Sequence, residues 1–351
     1  MTFVYYASFI PGLQELVGTI VRERLEDVRI KKLLDGAIVF ETHCGYDRLN
    51  FFCFNNIFLV ISIIENPGSE NPLESHMKRA CKIRETDPRI SGNNQKIRSF
   101  RIIGSYENKL VPLNEKIKGE TERFITRQSR LSVNRTRPDT EFWFLYRREG
   151  FSIFMKRLTK HPSFEKVLHP GELPPQLAYL MCRLAAPKKN DTLLDPFCGY
   201  GSIPCEGLKH FPLKQFWAFD LDPQAVKITQ NKIRGTLRNR CRIQQADICD
   251  IFSWLPEGGV DKIITDPPWG LYQNTRIPLG QFYEKTLGIF DRLLKPAGTL
   301  VLLTAQEAAA ILTKIKTLKQ VKAIPILLSG KKAGIFIIKK APPEPEDLLI
   351  R

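Results

Sequence analysis

Two short segments, roughly seventy residues apart, limit what this 351-residue chain can fold into. The first, Leu193-Leu-Asp195-Pro-Phe197-Cys-Gly199-Tyr-Gly201, reads as an apolar strand that ends on a carboxylate and runs into a glycine-rich turn opening a helix. The second, Ile263-Ile-Thr-Asp266-Pro267-Pro268-Trp269-Gly270, reads as an apolar strand that ends on a carboxylate, two prolines and an aromatic ring. Around them the pattern alternates strand and helix. Strands are expected at 192–195, 215–220, 241–245, 262–265 and 298–304, and a closing pair at 324–328 and 334–339 is joined by a turn over 329–333. Before them, Pro174-Pro175 opens a helix with Leu177, Leu180, Met181 and Leu184 on one face. Such alternation gives an α/β domain with a mostly parallel, seven-stranded sheet ending in an antiparallel hairpin.

Open parallel sheets bind ligands at the carboxyl ends of their strands. There Asp195 ends the first strand, and Phe197, Gly199 and Gly201 form the turn after it, the glycines letting backbone approach a ligand closely. The spacing Gly199-x-Gly201-x-x-Pro204 lacks the third glycine of a dinucleotide fingerprint. About twenty residues on, Asp220 ends the second strand in Phe219-Asp220-Leu221-Asp222-Pro223, where a carboxylate can accept bonds from two ribose hydroxyls. Asp247, after the third strand, suits an adenine amino group, with Leu221 and Ile248 as ring contacts. Each acid alone reads equally well as a helix N-cap. Three in register point to an adenosine-type cofactor.

The second segment suits a different task. An aromatic exocyclic amine is a poor nucleophile because its lone pair is delocalised into the ring. Two acceptors on its hydrogens draw the nitrogen toward tetrahedral geometry and stabilise the positive charge that develops as it attacks a methyl group. Asp266 can supply one acceptor and the main-chain carbonyl of Pro267 the other. Pro267-Pro268 makes the turn stiff and cannot continue a ladder, and Trp269 can stack on a base. The bland alternative is a rigid strand-ending turn without chemistry. No metal is required: the eight cysteines form no C-x-x-C pair and have no histidine at zinc-ligand spacing.

The net charge of +16 favours a polyanionic partner, nucleic acid above all. It is spread evenly, with 27 Lys/Arg against 19 Asp/Glu in residues 1–160 and 26 against 18 in residues 161–351. Strand-like stretches at 3–9, 37–41, 57–64, 97–103 and 141–146, with helical periodicity at Leu13, Leu16, Val17 and Ile20 and a short helix over 74–84, make a small α/β region of the first 150 residues. Between Arg123 and Arg148 lie seven arginines and two acids, among Phe124, Phe142, Trp143, Phe144 and Tyr146. Alternation assigns these aromatics to a half-buried strand. Arg123, Arg127, Arg130, Arg135 and Arg137 remain as candidate phosphate contacts to RNA. The expected organisation is an N-terminal domain over 1–65, an RNA-binding domain over 66–155, a basic, proline-rich linker over 156–175, the sheet domain over 176–341 and a tail over 342–351. No apolar run is long enough to span a bilayer and no leader pattern opens the chain, so a cytoplasmic protein with free thiols is expected.

The run His169-Pro-Gly-Glu-Leu-Pro-Pro-Gln-Leu-Ala178, the Leu194–Gly201 segment, Phe219-Asp-Leu-Asp-Pro223 with Asn231 downstream, and Asp266-Pro-Pro-Trp269-Gly270 together resemble the class I, Rossmann-like S-adenosylmethionine-dependent methyltransferases that carry an N-terminal THUMP module. More weakly, Pro11-Gly-Leu-Gln-Glu-Leu16 looks like the ferredoxin-like domain preceding THUMP, and Ser99-Phe-Arg101 with 135–144 looks like THUMP itself. The resemblance implies S-adenosyl-L-methionine as cofactor and a structured RNA, usually tRNA, as substrate. It also implies N2-methylguanosine as product, at acceptor-stem position six or at position ten. Tryptophan stands where tyrosine or phenylalanine is more usual after the prolines, and it also occurs there in adenine-N6 methylases. Adenine-N6 methylation of RNA or DNA is therefore the alternative enzyme reading. A catalytically silent RNA-binding protein is the reading from another class, and an accessory subunit is not indicated.

Overall fold

The computed structural model describes residues 2–68, 71–83, 87–91, 97–107, 109–159, 168–270, 277–305, 315–328 and 330–342. Two compact units divide the chain, one formed by residues 1–9 and 14–161, the other by 10–13 and 162–351.

In the N-terminal unit the order is β1 (Phe3–Ser8), α1 (Gln14–Arg24), β2 (Arg29–Leu34), β3 (Ala37–Thr42), β4 (Asn56–Glu65), α2 (Pro72–Ala80), α3 (Pro88–Ser91), β5 (Ser99–Tyr106), β6 (Lys109–Val111), α4 (Glu115–Ser129), β7 (Ser132–Val133), β8 (Thr140–Arg147) and β9 (Phe151–Arg157). The first four strands lie in the order β2-β3-β1-β4, every neighbour antiparallel. That is the order of a split-βαβ, ferredoxin-like unit. A three-residue 3₁₀ turn, Tyr46–Arg48, stands where such a unit has its second helix. The sheet does not stop there. β4 pairs with β9, and the path runs on through β8, β5 and β6, so the expected boundary at 65/66 falls inside one continuous sheet.

Period-two alternation explains how one sheet carries two cores. Along β8, Phe142 and Phe144 face a cluster with Met77, Phe100, Phe124 and Phe154, whereas Leu145 and Trp143 join Tyr6, Val39, Phe58 and Ile153. Phe142 and Phe144 are thus core residues and Trp143 and Tyr146 partly buried, but the strand packs on both faces rather than one, and Phe124 lies on α4.

The C-terminal unit continues with α5 (Pro175–Ala185), β10 (Thr192–Asp195), α6 (Ser202–His210), β11 (Gln215–Asp220), α7 (Pro223–Lys232), β12 (Cys241–Gln245), β13 (Val260–Thr265), α8 (Leu279–Leu293), β14 (Leu294–Ala305), β15 (Leu318–Leu328) and β16 (Lys331–Lys340). Its sheet has the order β12-β11-β10-β13-β14-β16-β15. The first five strands are parallel, and β16 runs antiparallel to both β14 and β15. Near-continuous apolar strands such as Leu193-Leu194 and Ile263-Ile264, fully buried, suit a sheet covered on both faces. Two boundaries differ from expectation. The closing hairpin is tighter, since Leu328 pairs with Lys331 and the strand takes up residues 331–333. Lys156 and Arg157 belong to β9 rather than to a linker, and of that linker 160–167 lie outside the described residues, as does almost all of the expected tail. No described helix is long and apolar enough to cross a membrane.

Candidate active site

Strand order places the site before any side chain is considered. From β10 the chain winds one way to β11 and β12, then returns to the other side of β10 as β13. The crevice between β10 and β13 is the topological switch point, where open α/β sheets bind their ligands. Asp195 closes β10, and Asp266 follows β13 directly. A hydrogen bond at 2.8 Å from Thr265 Oγ1 to Asp195 Oδ1 ties the two strand ends together.

The cofactor half is built from Asp195 outward. Its Oδ1 also accepts from Phe197 N at 3.3 Å, while Oδ2 is buried and has no partner among the described residues. A buried acceptor left alone is costly, so a polar ligand group fits there. Burial pushes the carboxyl up to about 8; the two hydrogen bonds oppose the rise, and the charges of Asp220 and Asp266 add to it. The turn that follows needs its glycines. Gly199 has φ +48°, and Gly201 has φ +83° as N-cap of α6, where an added Cβ would stand 2.7 Å from Thr229. Thr229 in turn donates to the Gly199 carbonyl at 2.9 Å. Backbone alone can occupy this corner.

Asp220 is drawn into the same turn, accepting from Gly199 N at 2.7 Å through Oδ2 and from Asp222 N at 2.9 Å through Oδ1. Each oxygen keeps a further lone pair for a ligand hydroxyl. Burial raises its pKa. Leu221 is 51% exposed, whereas Ile248 is buried in the core. Asp247 caps the short 3₁₀ helix Ile248–Ser253 by accepting from Cys249 N at 2.9 Å, so its N-cap reading holds whatever else it does. Phe197 is half-buried against Phe282, ring centroids 5.7 Å apart.

On the other side of the crevice, Asp266 is half-buried and raised to about 7 by burial, a rise opposed by the hydrogen bond from Trp269. That bond runs from Trp269 Nε1 to Asp266 Oδ1 at 2.7 Å. Beneath the prolines, the buried Tyr283 hydroxyl donates to the Pro268 carbonyl at 3.1 Å and lies 2.6 Å from Thr304 Oγ1. Tyr283 therefore takes the carbonyl of Pro268 and not that of Pro267. Thr265, Thr229, Tyr283 and Thr304 are the residues sequence reading missed. Their partners are 15 to 70 positions away, and no local pattern signals them.

In the N-terminal unit, Arg123 and Arg127 project from α4 and are exposed, as are Arg130 and Arg137. Arg130 is the left-handed C-cap of α4, with φ +59°. Arg135 differs from the other four: it grips the buried Glu122 with two hydrogen bonds, at 3.1 and 2.8 Å. Among the described residues, no group of three or more His, Cys, Asp or Glu is placed to hold a metal ion.

Sheet order, switch-point acids and glycine turn define a Rossmann-like methyltransferase domain. Residues 162–328 match the UPF0020 family, described as "RMKL-like, methyltransferase domain". The bovine (Bos taurus) tRNA (guanine(6)-N(2))-methyltransferase THUMP3 is 29% identical over 188 residues, 49% of this chain and 37% of that protein. The bovine U6 snRNA (guanine-N(2))-methyltransferase THUMPD2 is 30% identical over 132 residues, 37% of this chain and 25% of that one. The chain thus spans less than half the length of these relatives. The crystal structure of TrmN from Thermus thermophilus superposes with a TM-score of 0.78 at 22% identity, covering 96% of this chain and 99% of that chain, and so shares its fold.

Proposed function

We propose that this chain transfers a methyl group from S-adenosyl-L-methionine to the N2 amine of a guanosine in tRNA, at acceptor-stem position six. The observation that carries the reading is the pairing, across one switch point, of a glycine turn bearing an unpartnered buried carboxylate oxygen with the Asp266-Pro-Pro-Trp269 turn. The cofactor, when bound, supplies an electrophilic methyl group on a sulfonium. Asp195, Phe197, Gly199 and Gly201 would hold its amino-acid end, Asp220 its ribose hydroxyls, and Leu221, Asp247 and Ile248 its adenine.

Asp266 accepts one hydrogen of the target amine, and the Pro267 carbonyl accepts the other. With both held, nitrogen lone-pair density turns toward the methyl group and the charge developing on nitrogen meets a fixed negative partner. Trp269 offers its ring face to the base, and the stiff prolines keep the acceptors in place while the bond forms. The amine proton leaves only after transfer, when the nitrogen is acidic, so no strong base is needed. Support for guanine N2 and for tRNA comes from the named activity of the bovine relative and of its kin. The exposed arginines of the N-terminal unit offer phosphate contacts.

The relative acting on U6 snRNA favours a second reading, the same chemistry on a small nuclear RNA. Labelled S-adenosyl-L-methionine with unmodified tRNA and with U6 snRNA transcripts, followed by digestion and mass spectrometry of the nucleosides, separates them. N2-methylguanosine in tRNA is expected. N6-methyladenosine from either RNA would overturn the base assignment, and product from the U6 transcript alone would overturn the substrate.

A further inference from the structure

The turn that grips the amine contains one hydrogen bond that the chemistry above does not ask for. Trp269 Nε1 donates to Asp266 Oδ1 at 2.7 Å, a bond in the plane of the indole that leaves the ring faces to a stacked base. A phenylalanine or tyrosine at this position has no ring N–H to make it. On the methylation reading just given, we propose that Trp269 is a positioning residue whose indole N–H locks one oxygen of Asp266, so that the other oxygen is presented to the target amine.

Three features of the turn support this. The terminal torsion of an aspartate is broad and roughly two-fold, so a carboxylate at the end of a strand swings unless something holds it. A developing positive charge is best met by an acceptor whose direction is already fixed, because reorganisation at the moment of reaction then costs little. The donor is itself anchored: the residue before Trp269 has its carbonyl held at 3.1 Å by Tyr283, whose hydroxyl is in contact with Thr304 on β14. Fixing the carbonyl N-terminal to Trp269 fixes the backbone from which the indole springs.

The charged and titratable groups facing Asp266 sharpen the point. Asp195 approaches from the end of β10 and Tyr283 from α8. Neither helps Asp266 to ionise: Asp195 is a like charge when ionised, and Tyr283, pushed up to about 12, stays a neutral phenol. Burial raises Asp266 to about 7, and the Trp269 N–H is the group that favours its charge. Removing that donor should move the ionisation upward, while a residue that only stacked would leave it where it is.

The test has two arms. In the first, the full chain is labelled with ¹⁵N in the indoles of its four tryptophans, and Trp269→Phe identifies the Trp269 resonance by its loss. The indole proton is expected to move downfield as pH rises through about 7, and to be pH-independent in Asp266→Asn. A Trp269 resonance that ignores pH in the wild-type chain overturns the proposal. In the second arm, Trp269→Phe keeps a stackable ring. Its kcat should fall about 10- to 100-fold, its RNA KM should change by less than about twofold, and the midpoint of its kcat–pH profile should rise by about one unit. A rise in KM with the midpoint unchanged would assign Trp269 to stacking alone and overturn the proposal. A wild-type chain without transfer on either RNA would sink the methylation reading, and the resonance arm would still decide the bond.

Discussion

At the scale of single residues, the site is a place where carboxylates are kept against their preference. Asp195 is fully buried with one oxygen unpartnered among the described residues, and Asp266 is held in a half-buried turn. The two differ in consequence. In the mechanism proposed above Asp266 acts only on the target amine, so Asp266→Ala should reduce transfer by about 10²–10³ or more while changing cofactor affinity by less than about twofold. Equilibrium binding and single-turnover transfer measured on one preparation check this; undiminished turnover would remove the mechanism. Asp195 bears on stability instead. Burial pushes its folded-state pKa up to about 8, well above the ordinary carboxylate range. The protonated carboxyl therefore contributes stability that is complete below the unfolded pKa and is lost as pH rises toward 8. Without cofactor, Tm should fall between about pH 4 and pH 8, and Asp195→Asn should flatten that fall. Equal slopes in thermal unfolding of the two proteins would contradict the assignment.

At the scale of elements, β10, the glycine turn and α6 form the unit on which the cofactor half depends. Gly201 sits at φ +83° with Thr229 where a Cβ would go. Gly201→Ala adds left-handed strain of about 1–2 kcal/mol and pushes on the residue that holds the Gly199 carbonyl. Cofactor affinity should drop about tenfold or more, read by calorimetry with S-adenosyl-L-methionine, whereas Gly280→Ala, a helix position with open space around it, should leave it unchanged. The same elements show why sequence reading succeeded where it did. Strands β10, β11 and β13 carry short apolar runs followed by acids, glycines or prolines, so local pattern alone locates them. Helix α4 escaped notice because Glu115–Ser129 buries only Ile117, Phe124 and Ile125 among its apolar residues, and its remaining surface is charged or polar around Gly119. Its clearest local signal is Asn114, whose side chain accepts from the backbone N–H groups of Lys116 and Ile117. Strands β2 and β9 went unread as well: Arg29–Leu34 alternates exposed and part-buried residues, and Phe151–Arg157 ends on two cations, of which Lys156 is buried and donates to the Ile90 carbonyl. The strand-end positions of Asp195, Asp220, Asp247 and Asp266 and both glycines of the turn were legible, but the Thr265, Thr229 and Tyr283 bonds were not. A hydrogen bond across 70 positions leaves no trace in local spacing.

At the scale of the whole molecule, charge is the property that bears on function. An excess shared equally by the two halves of the sequence suits a partner that is itself a long polyanion. Within the N-terminal unit the five arginines marked out by sequence do not form one class. All five are exposed, but Arg135 also holds Glu122, a carboxylate only 7% exposed. The other four should behave as phosphate contacts and Arg135 as part of the fold. Each true contact replaced by alanine lowers the dependence of log K on log salt by about 0.7–0.9. Arg123→Ala with Arg127→Ala should therefore reduce the slope by about 1.5, weaken tRNA binding at low salt and leave Tm unchanged. Arg135→Ala should do the reverse: it leaves a buried carboxylate unpaired, so Tm should drop by roughly 2–4 °C with little change in salt slope. Filter binding between 50 and 200 mM salt, alongside thermal unfolding of the same variants, reads both quantities. A double variant with the wild-type slope would take RNA binding away from α4, and an Arg135→Ala protein as stable as wild type would return that arginine to the group of phosphate contacts.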